Sequence, residues 1–181
     1  MKLTDRISWK AKWTFTKFKN DESGVISNLL KMGAPINIVK EAFPENLKSV
    51  EVVDFNLALN EGLGELIDII CGLGTPTLFD NTNAYIGVGD SSTSEAATQT
   101  GLQASTNKYY KAMDVSYPQR SNQTAEWRAT FGSSDANFAW NEFTVANGNS
   151  DSAKNLNRKV ASKGTKESGE TWTVSLQILF S

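Results

Sequence analysis

Hydrophobic and polar positions change their period along this chain, and the changes divide it into segments. In WKAKWTFTKF, residues 9–18, aromatic side chains alternate with basic and hydroxyl ones, as along a strand. From Glu22 the spacing turns helical. Val25, Ile26, Leu29 and Leu30 fall on one face of a short helix that Gly33 and Pro35 close. INIVKEAF, ahead of Pro44, fits a second short helix or a strand. LKSVEVVDFNLAL, residues 47–59, alternates again, with Val53, Phe55, Leu57 and Leu59 on one side. Asn60 is a good helix N-cap and Glu61 suits a first turn; Leu63, Leu66, Ile67 and Ile70 then recur at helical spacing until Gly72 and Gly74. The pattern predicts a buried amphipathic helix over 61–73, in which Cys71 packs as a small apolar residue.

Beyond Pro76 the chain reads as a β protein, with short aromatic and β-branched runs between Gly, Asn, Ser and Asp clusters. Strands are predicted near 84–89, 107–115, 124–131, 138–146, 155–162 and 170–180. In the last, Trp172, Val174, Leu176, Ile178 and Phe180 share a face, while Thr171, Thr173, Ser175 and Gln177 share the other. SKGTKESGE before it reads as a hairpin loop, and Asn147-Gly148 as a turn. The expected fold is mainly β: an antiparallel β-sandwich over 47–181 with one packed amphipathic helix, preceded by an extended and helical arm over 1–46.

Composition narrows the chemistry. The chain has no histidine, which removes the usual general base near neutral pH, and one cysteine, which excludes an internal disulfide. Its 18 basic and 20 acidic residues give no global field toward nucleic acid or anionic lipid. The first residues contain no continuous apolar stretch, so they read as neither signal peptide nor membrane span, and synthesis in a cytoplasm is expected.

NAYIGVGDSST, residues 83–93, has two glycines but no following helix and no phosphate-binding lysine, so it reads as a strand and turn in which Gly87 and Gly89 permit close backbone approach or a bulge. Asp80, Asp90 and Asp135 belong to no calcium-loop pattern. Glu126 and Glu142 fall on predicted strands without a spacing that brings them together. Asn122-Gln123-Thr124 fits a glycosylation sequon, which matters only on secretion. No catalytic, cofactor or metal set emerges. Residues 1–20 are the most suggestive: six basic side chains against one acid, with four aromatics interleaved. That segment suits a protein-binding arm, a nucleic-acid contact or an ordinary strand. As an arm, its candidate anchors are Arg6, Trp9, Lys10, Lys12, Trp13, Phe15 and Phe18.

The order NLALNEGLGELIDIICGLG, NAYIGVGDSSTSEAATQTGLQAS, YPQRSNQTAEWRATFGSSDANFAWNEF and NRKVASKGTKESGETWTVSLQI resembles a group of small virion structural proteins of tailed bacteriophages, over about residues 54–180. The resemblance implies a non-enzymatic, β-rich particle component without cofactor. Its leading role would be capsid decoration, or cement: the chain would sit on the capsid surface and bind the major capsid protein and neighbouring copies of itself, most simply as a trimer. A tail fibre, baseplate or neck component is the other role it implies. A carbohydrate-binding module, presenting aromatics among Trp127, Trp140, Tyr109, Tyr110 and Tyr117, is a third reading. Neither a specific nucleic acid nor a membrane is expected as partner.

Overall fold

Ten alternating residues near each end of the chain zip together. Strand β1 (Trp9–Phe18) pairs antiparallel with β10 (Thr171–Phe180), from Trp9 opposite Phe180 to Phe18 opposite Thr171. On its other side β1 pairs with β2 (Leu47–Asp54). The computed structural model describes residues 9–181. The remaining elements are α1 (Val25–Lys31), α2 (Ile36–Ala42), a 3-10 turn at Pro44–Asn46, β3 (Leu57–Ala58), α3 (Asn60–Cys71), β4 (Tyr85–Gly89), β5 (Lys108–Ala112), β6 (Gln119–Ser121), β7 (Thr124–Phe131), β8 (Glu142–Ala146) and β9 (Asn157–Val160). They form two antiparallel sheets, β2-β1-β10-β7-β6 and β3-β9-β8-β4-β5. The molecule is mainly β, consistent with the expected sandwich.

The core lies between the sheets. Inward residues of β1, β7 and β10, among them Trp13, Phe15, Phe131, Trp172 and Val174, meet Ile86, Val88, Phe143 and Val145 from β4 and β8. Edge-to-face ring pairs set the contacts: Trp13 and Phe15 lie 4.9 and 4.8 Å from Phe143, and Trp140 lies 4.7 Å from Phe131 and 4.8 Å from Trp172. The outer face of the first sheet carries a smaller core, where Phe18 packs with Ile26, Leu30 and Val39 of α1 and α2. Asp21 secures it by accepting the Ile26 and Ser27 amides at 3.0 and 2.9 Å and the Thr171 hydroxyl at 2.7 Å. Arg128 pairs with Asp114 at 2.8 Å and donates to Leu30 O at 2.7 Å, which ties α1 to β7.

Several expectations need correction. Residues 9–46 are not an arm outside the sandwich, because β1 sits inside the first sheet and α1 and α2 pack on it. Phe55 does not continue a buried face. Its φ of 63° breaks the strand, and it is 75% exposed. The segment 162–170 is no hairpin loop, since β9 and β10 belong to different sheets and it crosses between them. The predicted strands at 107–115, 138–146 and 155–162 are shorter than expected, and β6 was not foreseen. Asn60 is the first helical residue of α3, with Leu59 in the capping position.

Candidate interaction surface

Helix α3 turns a different stripe to the core than its spacing suggests. At its start, Gly62 lies so close to the β8–β9 hairpin that a Cβ there would sit 2.4 Å from Leu156 Cα. That approach fixes the rotation of the helix. Leu66 and Ile69, at i+4 and i+7 from Gly62, pack on the core. The neighbouring stripe faces outward, with Leu63 38%, Ile67 56% and Ile70 82% exposed, and Leu73 just past the helix is 55% exposed. Cys71 is exposed as well, so its expected packing does not hold. An apolar row of this kind, on a helix held in place by its opposite side, is the sort of surface that proteins bury in an interface.

Next to the helix runs the long connection from β4 to β5, residues 90–107. It has no regular secondary structure, yet it is fastened at many points. Arg158 of β9 and Glu142 of β8 form a fully buried ion pair, Nε to Oε2 at 2.7 Å. Both partners spend their remaining capacity on the loop. Glu142 accepts the Gln103 and Ala104 amides at 2.9 and 2.7 Å, and Arg158 donates to Gln99 Oε1 and Thr93 O, both at 2.9 Å. Glu95 accepts the Val160 amide at 2.7 Å. Helix α3 joins the same assembly: the Asn60 amide donates to Ala97 O at 2.8 Å, and Glu61 accepts the Asn155 and Gly101 amides at 2.9 and 3.3 Å. Gly89 belongs to it sterically, because a Cβ there would meet Glu142 Oε1 at 2.5 Å. The loop therefore presents Ser92, Thr93, Ser94, Thr98 and Thr100 to solvent on a fixed scaffold.

The residues singled out by sequence scatter. Of the proposed anchors, Trp13, Phe15 and Phe18 are fully buried, so no partner can use them. Trp9 is half-buried, edge-on to Phe180, and donates from Nε1 to Asn56 Oδ1 at 3.0 Å. Lys10 and Lys12 point outward, where with Phe55 and Leu179 they line an open groove of about 380 Å³. Arg6 lies outside the described residues. Trp127 and Trp140 are core residues at 7% and 0% exposure, which leaves Tyr109 as the only exposed aromatic of the five sugar-binding candidates. Glu126 accepts from Gln177 in the first sheet while Glu142 is the clamp in the second, so the two carboxylates serve different structures.

The aspartates also separate. Asp80 organises its own turn, Asp90 accepts from Asn107, and Asp135 accepts Lys111 Nζ at 2.7 Å and the Gly132 amide at 2.8 Å. Burial works to raise the Asp135 carboxyl, and these partners overcome it and hold the carboxyl below its ordinary value. At Asp114 burial wins over Arg128 and the carboxyl is raised. Among the described residues no group of three His, Cys, Asp or Glu side chains is placed to hold a metal ion, and no helix is long and apolar enough to cross a membrane.

Sequence reasoning missed this surface although its signal was present. Gly62 stands four and seven residues before Leu66 and Ile69, on the stripe that docks, and Arg158 is an arginine within a predicted strand. Compared with known proteins, the chain matches no family model, no curated protein and no solved structure.

Proposed function

We propose that this chain is a non-enzymatic structural protein of a bacteriophage virion, and that it decorates the capsid by binding the major capsid protein lattice and adjacent copies of itself. The observation that carries the reading is the outward apolar stripe of α3, Leu63, Ile67 and Ile70, beside a long loop that a buried ion pair fastens by hydrogen bonds. A surface prepared in advance loses little conformational freedom on docking, which suits a protein whose role is attachment. The motif series that resembles phage virion proteins supports the same reading, and its Glu61, Gly89, Gln99, Ala104, Glu142 and Arg158 belong to the assembly beside this stripe. The binding surface in this proposal is α3 with the 90–107 loop, in place of the N-terminal strand. A symmetric oligomer, most simply a trimer, fits attachment around local lattice axes.

The test is to mix the purified protein with phage particles assembled without it, sediment them and image them. Regular density over the shell is the expected result; density confined to neck or tail would make it a tail component, and no density would overturn a virion role. Ile70→Asp should fold normally and lose at least about tenfold in particle affinity, the scale of one lost interface anchor.

A further inference from the structure

The crossing segment between β9 and β10 buries an unusual side chain. Residues 163–166 run antiparallel to 138–140: Lys163 N–H donates to Trp140 O at 2.8 Å, Trp140 N–H to Gly164 O at 3.0 Å, and Lys166 N–H to Phe138 O at 3.1 Å. This pairing places Lys166 entirely inside, at 0% exposure, with its Nζ 2.8 Å from Asn137 Oδ1. A buried ammonium ordinarily has a carboxylate beside it, because its desolvation is costly. Here the two carboxylates whose charge acts on Lys166 are engaged elsewhere, Asp135 with Lys111 and Glu170 with Lys48. Burial, helped by the like charges of Lys31 and Lys111, outweighs them and brings the ammonium down to about 8. Neutral amine is therefore accessible close to neutral pH.

Its neighbour is oriented to receive it. Asn137 Nδ2 donates to Ser133 O at 3.0 Å, which turns the carbonyl side of the carboxamide toward the lysine. Asn137 is itself exposed, so a small leaving group has a path to water. We propose that Lys166 and Asn137 are joined by an intramolecular isopeptide bond, formed when the amine displaces ammonia from the carboxamide. Nζ first gives its third proton to solvent, and its lone pair then bonds to Asn137 Cγ. The Cγ–Nδ2 bond breaks, a second Nζ proton passes to Nδ2, and ammonia departs, leaving a secondary amide with one N–H. No oxidant, reductant or co-reactant enters. The bond ties the turn after β7 to the segment leading into β10, and so fastens the crossing between the two sheets.

Intact-mass measurement of the denatured full chain, followed by proteolytic peptide mapping, tests this. The expected result, complete after incubation in mildly alkaline buffer, is a mass lower by one ammonia together with a branched peptide joining the segments that hold Asn137 and Lys166. Lys166→Arg and Asn137→Ala should each restore the mass calculated from their sequence. An unmodified wild-type mass after that incubation overturns the proposal. So does a loss of ammonia with linear peptides only, which marks cyclisation of the asparagine on its own backbone. If either variant fails to fold, the wild-type peptide map decides alone.

Discussion

Strand β1 and helix α3 exchange the roles that their sequences suggest. β1 carries lysines between its aromatics and reads as something offered to a partner, yet Trp13, Phe15 and Phe18 are fully buried. Helix α3 is rich in Leu and Ile and reads as core, yet Ile67 and Ile70 are more than half exposed. The difference lies in their neighbours. β1 is paired on both sides, by β2 and β10, so its alternation sends Trp13 and Phe15 between the sheets and Lys10 and Lys12 outward, while Phe18 is covered by α1 and α2. α3 has apolar residues on more than one stripe, and the close approach at Gly62 selects which one docks. Periodicity states what an element can bury; packing partners decide what it does bury.

The sharpest way to break the comparison is to remove β1. A chain lacking residues 1–18 should show no cooperative thermal unfolding by circular dichroism, because the first sheet would lose an interior strand; a normal transition would restore the arm. Next in size is the clamp. Arg158→Met leaves Glu142 buried without its partner, at a cost of about 3–5 kcal/mol in urea unfolding, and the 90–107 amides should exchange faster in the same variant. Gly62→Ala should lower stability by about 1–3 kcal/mol, since the added methyl overlaps backbone and α3 must lift or rotate. Ala at Gly64, where nothing lies within 4 Å, is the control and should be neutral or slightly stabilising.

The smallest effect is electrostatic. Burial raises the Glu51 carboxyl, but Lys17 and Lys163, by hydrogen bonds and charge, outweigh it and hold the carboxyl below its usual 4.5. A carboxyl depressed in the folded state stabilises above its unfolded pKa, and that contribution fades as pH falls from about 4.5 through the folded value. Glu51→Gln should therefore flatten the acid side of the stability profile without altering the alkaline side, as urea midpoints taken across pH would show.

Much of the fold was legible because alternation survives wherever one face is buried. β10 follows its pattern from Trp172 to Ile178, all buried on the predicted side, and β7 occupies the predicted 124–131. Pairing was not legible. That the last strand lies between β1 and β7 is a contact between chain ends, which no local pattern encodes, and it is what drew the supposed arm into the core. Phe55 misled because one residue of left-handed backbone ended an otherwise continuous alternation. The surface of α3 and its loop was hidden for a related reason. Arg158, Glu142, Gln99 and Glu61 are far apart in sequence, and only the hydrogen bonds of the folded chain gather them.

The most direct test of the exchange between β1 and α3 is a urea denaturation comparing Trp13→Ala with Ile70→Ala. Truncating the buried tryptophan should cost about 3–5 kcal/mol, whereas truncating the outward isoleucine should change stability by less than about 0.5 kcal/mol. A small loss at Trp13 with a large one at Ile70 would contradict the account, for it would return the strand to the surface and the helix to the core.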